Sequence, residues 1–191
     1  MKRKSLIFVI SAPSGGGKTT ICHKISSFFP ELKRSVSLTT RQQRQGERSG
    51  IDYRFVSRRE FLSKIKKGAF AEWAKVLDNY YGTLKKNIEA PLKQGKDVIL
   101  NIDVQGALQI KKIYPQAALI FILPPSLGIL RKRLKERKTD AHWEIKKRLK
   151  LARKELKFLK KYDYMVINDS LQKATEKIRS IIISERCRIR K

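Results

Sequence analysis

Leu6-Ile7-Phe8-Val9-Ile10-Ser11-Ala12-Pro13-Ser14-Gly15-Gly16-Gly17-Lys18-Thr19-Thr20 decides the fold: an apolar run enters a glycine-rich loop that closes on Lys-Thr. The run 6–10 reads as a buried parallel strand. Glycines let the backbone N–H groups after it converge on phosphate oxygens. Lys18 then reaches the β- and γ-phosphates of a nucleoside triphosphate, and the Thr19 hydroxyl holds Mg²⁺. Residues 18–28 suit a helix whose positive N-terminal end points at the same phosphates. Ala12 stands where the strict motif has Gly. A plain glycine-rich turn is the bland alternative, and the strand before it and the Lys-Thr pair after it argue against that.

Outward from the loop, apolar strands alternate with helices. Asp97-Val98-Ile99-Leu100-Asn101-Ile102-Asp103, Leu119-Ile120-Phe121-Ile122-Leu123 and Tyr164-Met165-Val166-Ile167-Asn168 read as further strands. Residues 171–186 read as a closing amphipathic helix, and 126–161 as two basic helices broken near Lys138-Thr139-Asp140. This alternation predicts an α/β fold with a parallel sheet and right-handed crossovers. Between residues 35 and 95 the pattern is finer grained. Ser35–Thr40 and Ile51–Val56 read as short strands, and Phe70–Leu77 as another. Ser57 and Glu60 form a capping box for a helix over 58–67, which Gly68 stops. Asn79–Thr83 reads as a turn. A helix over 84–94, ended by Gly95, contains Pro91 and is therefore expected to kink or start late.

The chain has 191 residues, enough for one α/β domain with small inserted lobes. Its formal net charge is +28. Such a charge favours polyanionic partners, nucleotides among them, and otherwise reads as lysines on solvated helix faces. No nucleic-acid-binding motif accompanies it, so binding of nucleic acid is expected only as non-specific electrostatics. Cys22 and Cys187 lack metal spacing, which suits a reduced protein. Met1-Lys2-Arg3-Lys4 and the apolar run mimic an export signal, but cleavage there would destroy the loop, so a cytoplasmic protein is expected. No segment has the ~18 apolar residues of a membrane span. The sequence implies no particular oligomeric state.

Ligands of open parallel sheets bind beyond the carboxyl ends of the strands. Asp103 and Asn168-Asp169 end strands there, beside the loop. Asp103 resembles the acid that organises Mg²⁺ or its waters, and alternatively caps a helix at Val104. At this point a resemblance emerges in Ser35-Val36-Ser37-x-Thr39-Thr40-Arg41-x-x-Arg44-x-Gly46-Glu47 and Gly50-x-Asp52-Tyr53-x-Phe55-Val56. Phe70-Ala71-Glu72-Trp73, Asn79-Tyr80-Tyr81-Gly82-Thr83, Ile102-Asp103-Val104-Gln105-Gly106, Pro124-Pro125-Ser126 and Asn168-Asp169 extend it. Together these motifs resemble guanylate kinase, in family order from about residue 5 to 183.

The resemblance implies ATP + GMP ⇌ ADP + GDP, with dGMP as a further acceptor and Mg²⁺ as cofactor. It implies a five-stranded parallel core with helices on both faces (residues 1–36, 87–126 and 156–191), a small mixed α+β GMP-binding lobe (37–86) and a helical lid (127–155). It assigns ATP to Ala12, Pro13, Ser14, Gly15, Gly16, Gly17, Lys18, Thr19, Thr20 and Asn168. It assigns GMP to Ser37, Arg41, Arg44, Tyr53, Glu72, Tyr81, Thr83 and Asp103. Lys18, Arg41, Arg44, Arg137 and Arg148 would neutralise charge during transfer. The metal would sit at Thr19 with the nucleotide phosphates, and at Asp103 through water.

The chemistry of these residue types agrees. Two guanidinium groups spaced by three suit a phosphate monoester. A carboxylate at Glu72 accepts from both N1–H and N2–H₂ of guanine and rejects adenine, which offers an acceptor at N1. Read without the resemblance, Glu72 is a surface strand residue, and Asn168 a cap of the last helix. Residues 131–161 hold 15 Lys and Arg against 4 Asp and Glu, so Arg137 and Arg148 are two cations among many.

Several positions depart from the family pattern: Gln42-Gln43 for a proline, Asn101 for a carboxylate, Lys138 for a glycine at the lid turn, and Pro91. Three other readings compete. A ribose-phosphate kinase of this fold would leave Glu72 and Thr83 nothing to bind. A guanylate-kinase-like interaction module would not need an intact Lys18-Thr19. A nucleic-acid-binding role would rest on charge alone.

Overall fold

The computed structural model describes residues 4–136 and 142–189. Strand β1 (Ile7–Ser11) is completely buried and lies at the centre of a five-stranded parallel sheet. Its neighbours are β7 (Val98–Asn101) and β8 (Ala118–Leu123), with β2 (Lys33–Ser35) and β9 (Tyr164–Ile167) at the edges. A strand covered on both faces must be apolar throughout, which is why β1 and β8 read as continuous hydrophobic runs.

Side chains alternate across this sheet. Phe8 and Ile10 pack with Ile21 and Ile25 of α1 (Lys18–Phe28) and Ile178 and Ile182 of α7 (Leu171–Cys187). Ile7 and Val9 pack with Ile88 of α3 (Lys86–Lys93) and Ala107 and Ile110 of α4 (Val104–Ile113). The order β2-β7-β1-β8-β9 brings the loop after β1 and the segments after β7 and β9 to one end of the sheet.

A second sheet of four strands, in the order β4-β3-β6-β5, is built from β3 (Leu38–Thr39), β4 (Arg54–Phe55), β5 (Phe70–Val76) and β6 (Asn79–Leu84). Helix α2 (Arg58–Lys66) covers it through Phe61, which stacks on Phe70 with ring centroids 4.5 Å apart. Ser57 caps α2 by accepting from Glu60 N–H, and Gly68 follows at φ +60°. Helices α5 (Leu127–Glu136) and α6 (His142–Leu156) pair through Leu130, Leu134, Ile145 and Ala152. Among the described residues no helix is long and apolar enough to cross a membrane.

Three short elements differ from expectation. Ser35–Thr40 is not one strand: Lys33–Ser35 joins the large sheet and Leu38–Thr39 the small one, so the chain changes sheets at Val36-Ser37. Ile51–Val56 contributes only Arg54–Phe55, because Ile51 and Asp52 turn onto Arg48 O through their N–H groups. Asn79–Thr83 is not a turn but most of β6. The hairpin reverses one step earlier, at Leu77-Asp78, with Leu77 at φ +54°. A leucine in that conformation gives no turn signal in sequence. Pro91 sits inside α3, which starts at Lys86 rather than at 84.

Candidate active site

The carboxyl ends of the large sheet open onto a cleft of about 740 Å³, with the small sheet and α6 on its other sides. At one end lies the loop after β1. Gly15 and Gly17 take φ +92° and +93°, a conformation β-carbons resist. Gly17 is the N-cap of α1 and supplies no side-chain partner, so the first N–H groups of that helix keep their capacity for an anion. Ala12 is fully buried, and a Cβ on Gly16 would lie 2.8 Å from the Ala12 Cβ. The alanine is tolerated because its methyl points under the loop, against the glycine that yields to it. Lys18 Nζ donates to Ala12 O at 2.6 Å.

Two distant side chains brace the loop. Asn168, at the end of β9, donates from Nδ2 to Gly16 O at 2.9 Å and is 5% exposed. It is not the cap of α7; Ser170 takes that place. Arg148 of α6 donates to Ser14 Oγ at 2.7 Å. Arg137 and Lys138 lie outside the described residues.

At the other end of the cleft, Arg41, Arg44, Tyr53 and Tyr81 converge. Glu47 organises them. Its carboxylate accepts from both terminal nitrogens of Arg41, at 2.9 and 2.8 Å, and from Arg44 N–H at 2.9 Å. Burial alone would raise the Glu47 carboxyl; the hydrogen bonds and charges of Arg41 and Arg44 outweigh it and hold it low. The Arg41 guanidinium sits 5.4 Å from the Tyr53 ring centre. Gln42 and Gln43 do not leave this loop slack: Arg41 donates to Gln42 O at 2.7 Å and Gln43 to Glu47 O at 2.5 Å.

Glu72 lies on β5 but not on the surface. It is 3% exposed, and Oε1 is buried with no hydrogen-bond partner. Burial pushes its carboxyl up to about 8, against hydrogen bonds from Thr83, and the charge of Asp103 adds to the rise. Ser37 and Thr83 share a buried hydroxyl–hydroxyl bond of 3.0 Å beside it. An acid this enclosed is costly unless a ligand brings it donors.

Asp103 is the cap of α4: Oδ1 accepts from Gly106 N–H at 2.8 Å, while Oδ2 is buried without a partner. Asn101, two residues before it, donates to Thr19 Oγ1 at 3.4 Å and leaves its own Oδ1 buried and unpartnered. Among the described residues the cleft thus gathers every sequence-selected one except Ala12 and Asn168, which support the loop from beneath, and Thr83, which backs Glu72. Reading the sequence residue by residue missed Glu47 as the organiser, Gly106 as the gap beside Glu72, and Glu155. Glu155 lies on α6 one heptad after Arg148, and that spacing is the signal that could have found it.

A family model described as guanylate kinase matches residues 3–185. The chain is 51% identical to a guanylate kinase of Caldanaerobacter subterraneus subsp. tengcongensis, over 99% of this chain and 92% of that one. It is 47% identical to one of Syntrophotalea carbinolica, over 98% and 90%. The crystal structure of guanylate kinase from Anaplasma phagocytophilum superposes with a TM-score of 0.83 at 34% identity, covering 98% of this chain and 89% of that one.

Proposed function

The chain belongs to the guanylate kinase family, and from that premise we propose that its cleft seats ATP on residues 12–20 and GMP between the Arg41–Arg44 pair and Glu72. The activity is the ATP-dependent phosphorylation of GMP to GDP. In this reading residues 37–86 form the GMP lobe and 127–155 the lid. Residues 1–36, 87–126 and 156–191 form the core.

Arg41 and Arg44 bind the GMP phosphate, with the hydroxyls of Tyr53 and Tyr81 adding hydrogen bonds. Glu72 accepts from guanine N1–H and N2–H₂, Thr83 donates to O6, and Ser37 and Asp103 complete the polar wall. The acceptor needs no general base, because a phosphate monoester with a second pKa of about 6 is mostly dianionic at neutral pH. Transfer then rests on alignment and charge neutralisation. Lys18 bridges donor and acceptor oxygens. Arg148, already on Ser14, and Arg137 from the lid add positive charge. Asn168 keeps the loop carbonyls turned away from the phosphates.

The residues beside Thr19 fit Mg²⁺. Asn101 Oδ1 and Asp103 Oδ2 are orphaned oxygens, the donor type a hard cation takes. Among the described residues no three acidic, histidine or cysteine side chains cluster to hold a metal directly. The ion would therefore be held by Thr19 and the nucleotide phosphates, with Asp103 acting through water. When bound, it supplies charge neutralisation on the phosphates. ATP, GMP and dGMP are the partners expected of this reading, with nucleic acid limited to non-specific attraction. The two free cysteines suit a reducing cytoplasm and a role in guanine nucleotide supply.

The observation that carries this reading is Glu72, an enclosed acid with an oxygen awaiting a donor. A ribose phosphate would leave that oxygen orphaned. ADP formation from ATP-Mg²⁺ with GMP, dGMP, AMP and ribose bisphosphate as acceptors tests it. GMP and dGMP should support turnover and AMP should fall short by roughly 10⁴-fold. Equal rates with AMP and GMP would overturn the assignment of Glu72.

A further inference from the structure

Helix α6 turns one face to the cleft. Trp143, Lys147, Leu151 and Glu155, spaced by four, all line it, as does Arg148. The helix carries six Lys and Arg against two acids, Glu144 in its first turn and Glu155 in its last. Glu155 is only 8% exposed, and its Oε2 is buried with no hydrogen-bond partner. Its neighbours in charge are Lys18, which favours the carboxylate, and Asp103, which opposes it. The packing of α5 on α6 is made by Leu130, Leu134, Ile145 and Ala152.

Burying a carboxyl without full hydrogen bonding costs stability. A fold gains nothing from such a group, whereas a reaction site does. Among the described residues Lys18 has one hydrogen-bond partner, the Ala12 carbonyl of its own loop. That bond turns the ammonium back on the strand it left. A second anchor further into the cleft is needed to hold a flexible four-carbon stem at the point where donor and acceptor phosphates meet.

We propose that Glu155 is a positioning residue of the transfer site, holding the Lys18 ammonium in register with the phosphates. This rests on the kinase reading above. It acts through Lys18 and touches neither guanine nor the GMP phosphate, so it governs turnover rather than acceptor binding. It also ties the lid to the loop: Arg148 of the same helix already meets Ser14, so the proposed Glu155–Lys18 interaction couples lid position to lysine position.

The test compares the wild-type chain with Glu155→Gln and Glu155→Asp. Gln keeps the shape and removes the charge; Asp keeps the charge on a shorter stem. Expected for Glu155→Gln is a kcat lower by on the order of 10-fold or more, with KM for GMP within about twofold of wild type. Its melting temperature should equal or exceed that of the wild type, since an uncompensated buried acid has been removed. Glu155→Asp should recover part of kcat. A Glu155→Gln chain with wild-type kcat overturns the proposal, as does one whose lost activity comes with a lower melting temperature and a Glu155→Asp variant no better. If the wild-type chain itself turned over no GMP, the kinase reading would fall instead, so the two failures are distinguishable.

Discussion

Gly106 and Glu72 occupy one shared space: a Cβ on Gly106 would collide with Glu72 Oε2 and lie 2.9 Å from its Cδ. The same glycine gives its N–H to the Asp103 cap at 2.8 Å. The first turn of α4 therefore holds Asp103 in place and leaves room for the Glu72 carboxylate in a single step of chain.

Gly106→Ala is expected to displace Glu72 and raise KM for GMP on the order of 10- to 100-fold, with KM for ATP nearly unchanged. Alanine is the better helix former by about 1 kcal/mol, so loss of the fold is not the expected cause. Steady-state kinetics with each substrate varied in turn checks this. Equal rises in both constants would show a general distortion instead.

GMP affinity is expected to depend on pH through Glu72. Its carboxyl, pushed by burial up to about 8, is mostly protonated in the empty cleft at neutral pH and then accepts fewer hydrogen bonds. Binding should tighten with rising pH, nearly tenfold per unit below about 8, and level off above. The acid is ionised in the unfolded chain from its ordinary value near 4.5 upward but protonated in the empty fold up to about 8. Stability therefore falls as pH rises across that window, and Glu72→Gln should remove the fall. Calorimetry with GMP between about pH 7 and 8.5, where the phosphate is already dianionic, reads the affinity; a flat profile would contradict the argument.

In the proposed mechanism Lys18 acts on the transferring phosphate and not on the acceptor base, so Lys18→Ala should cut turnover by about 10³-fold or more while GMP binding survives. Single-turnover rates set against GMP dissociation constants separate the two. An active variant would remove Lys18 from the mechanism.

Asn168→Ala should loosen the phosphate loop from below. Gly16 O loses its 2.9 Å donor, a cost of about 1–2 kcal/mol. The melting temperature should fall by roughly 2–4 °C per kcal/mol, and ATP should bind several-fold more weakly. GMP affinity, which the proposed function sets at the other end of the cleft, should not move. Weakened GMP binding would mean that the loop and the acceptor site are not independent.

Much of this was legible in the chain. A central strand buried on both faces has to be apolar, so β1, β7 and β8 announced themselves, and the glycine loop followed from φ values only glycine takes readily. The short strands at Lys33–Ser35 and Leu38–Thr39 were not legible, because they pair with strands 65 and 42 to 44 residues further along the chain, and Asn79–Leu84 was not, because the turn before it carries no turn signal. The hairpin at Leu77-Asp78 lacked the glycine or asparagine that usually marks one.

Residue types and spacing by themselves determined the phosphate loop, the paired arginines and the presence of an acid at position 72. Only the tertiary structure decided what those groups are worth. It enclosed Glu72 beside Gly106, set Glu47 across Arg41 and Arg44, slid Asn168 beneath Gly16 and brought Glu155 in from the far end of α6. Burial and electrostatic environment belong to the assembled cleft, since each is produced by segments that meet only when the chain is folded.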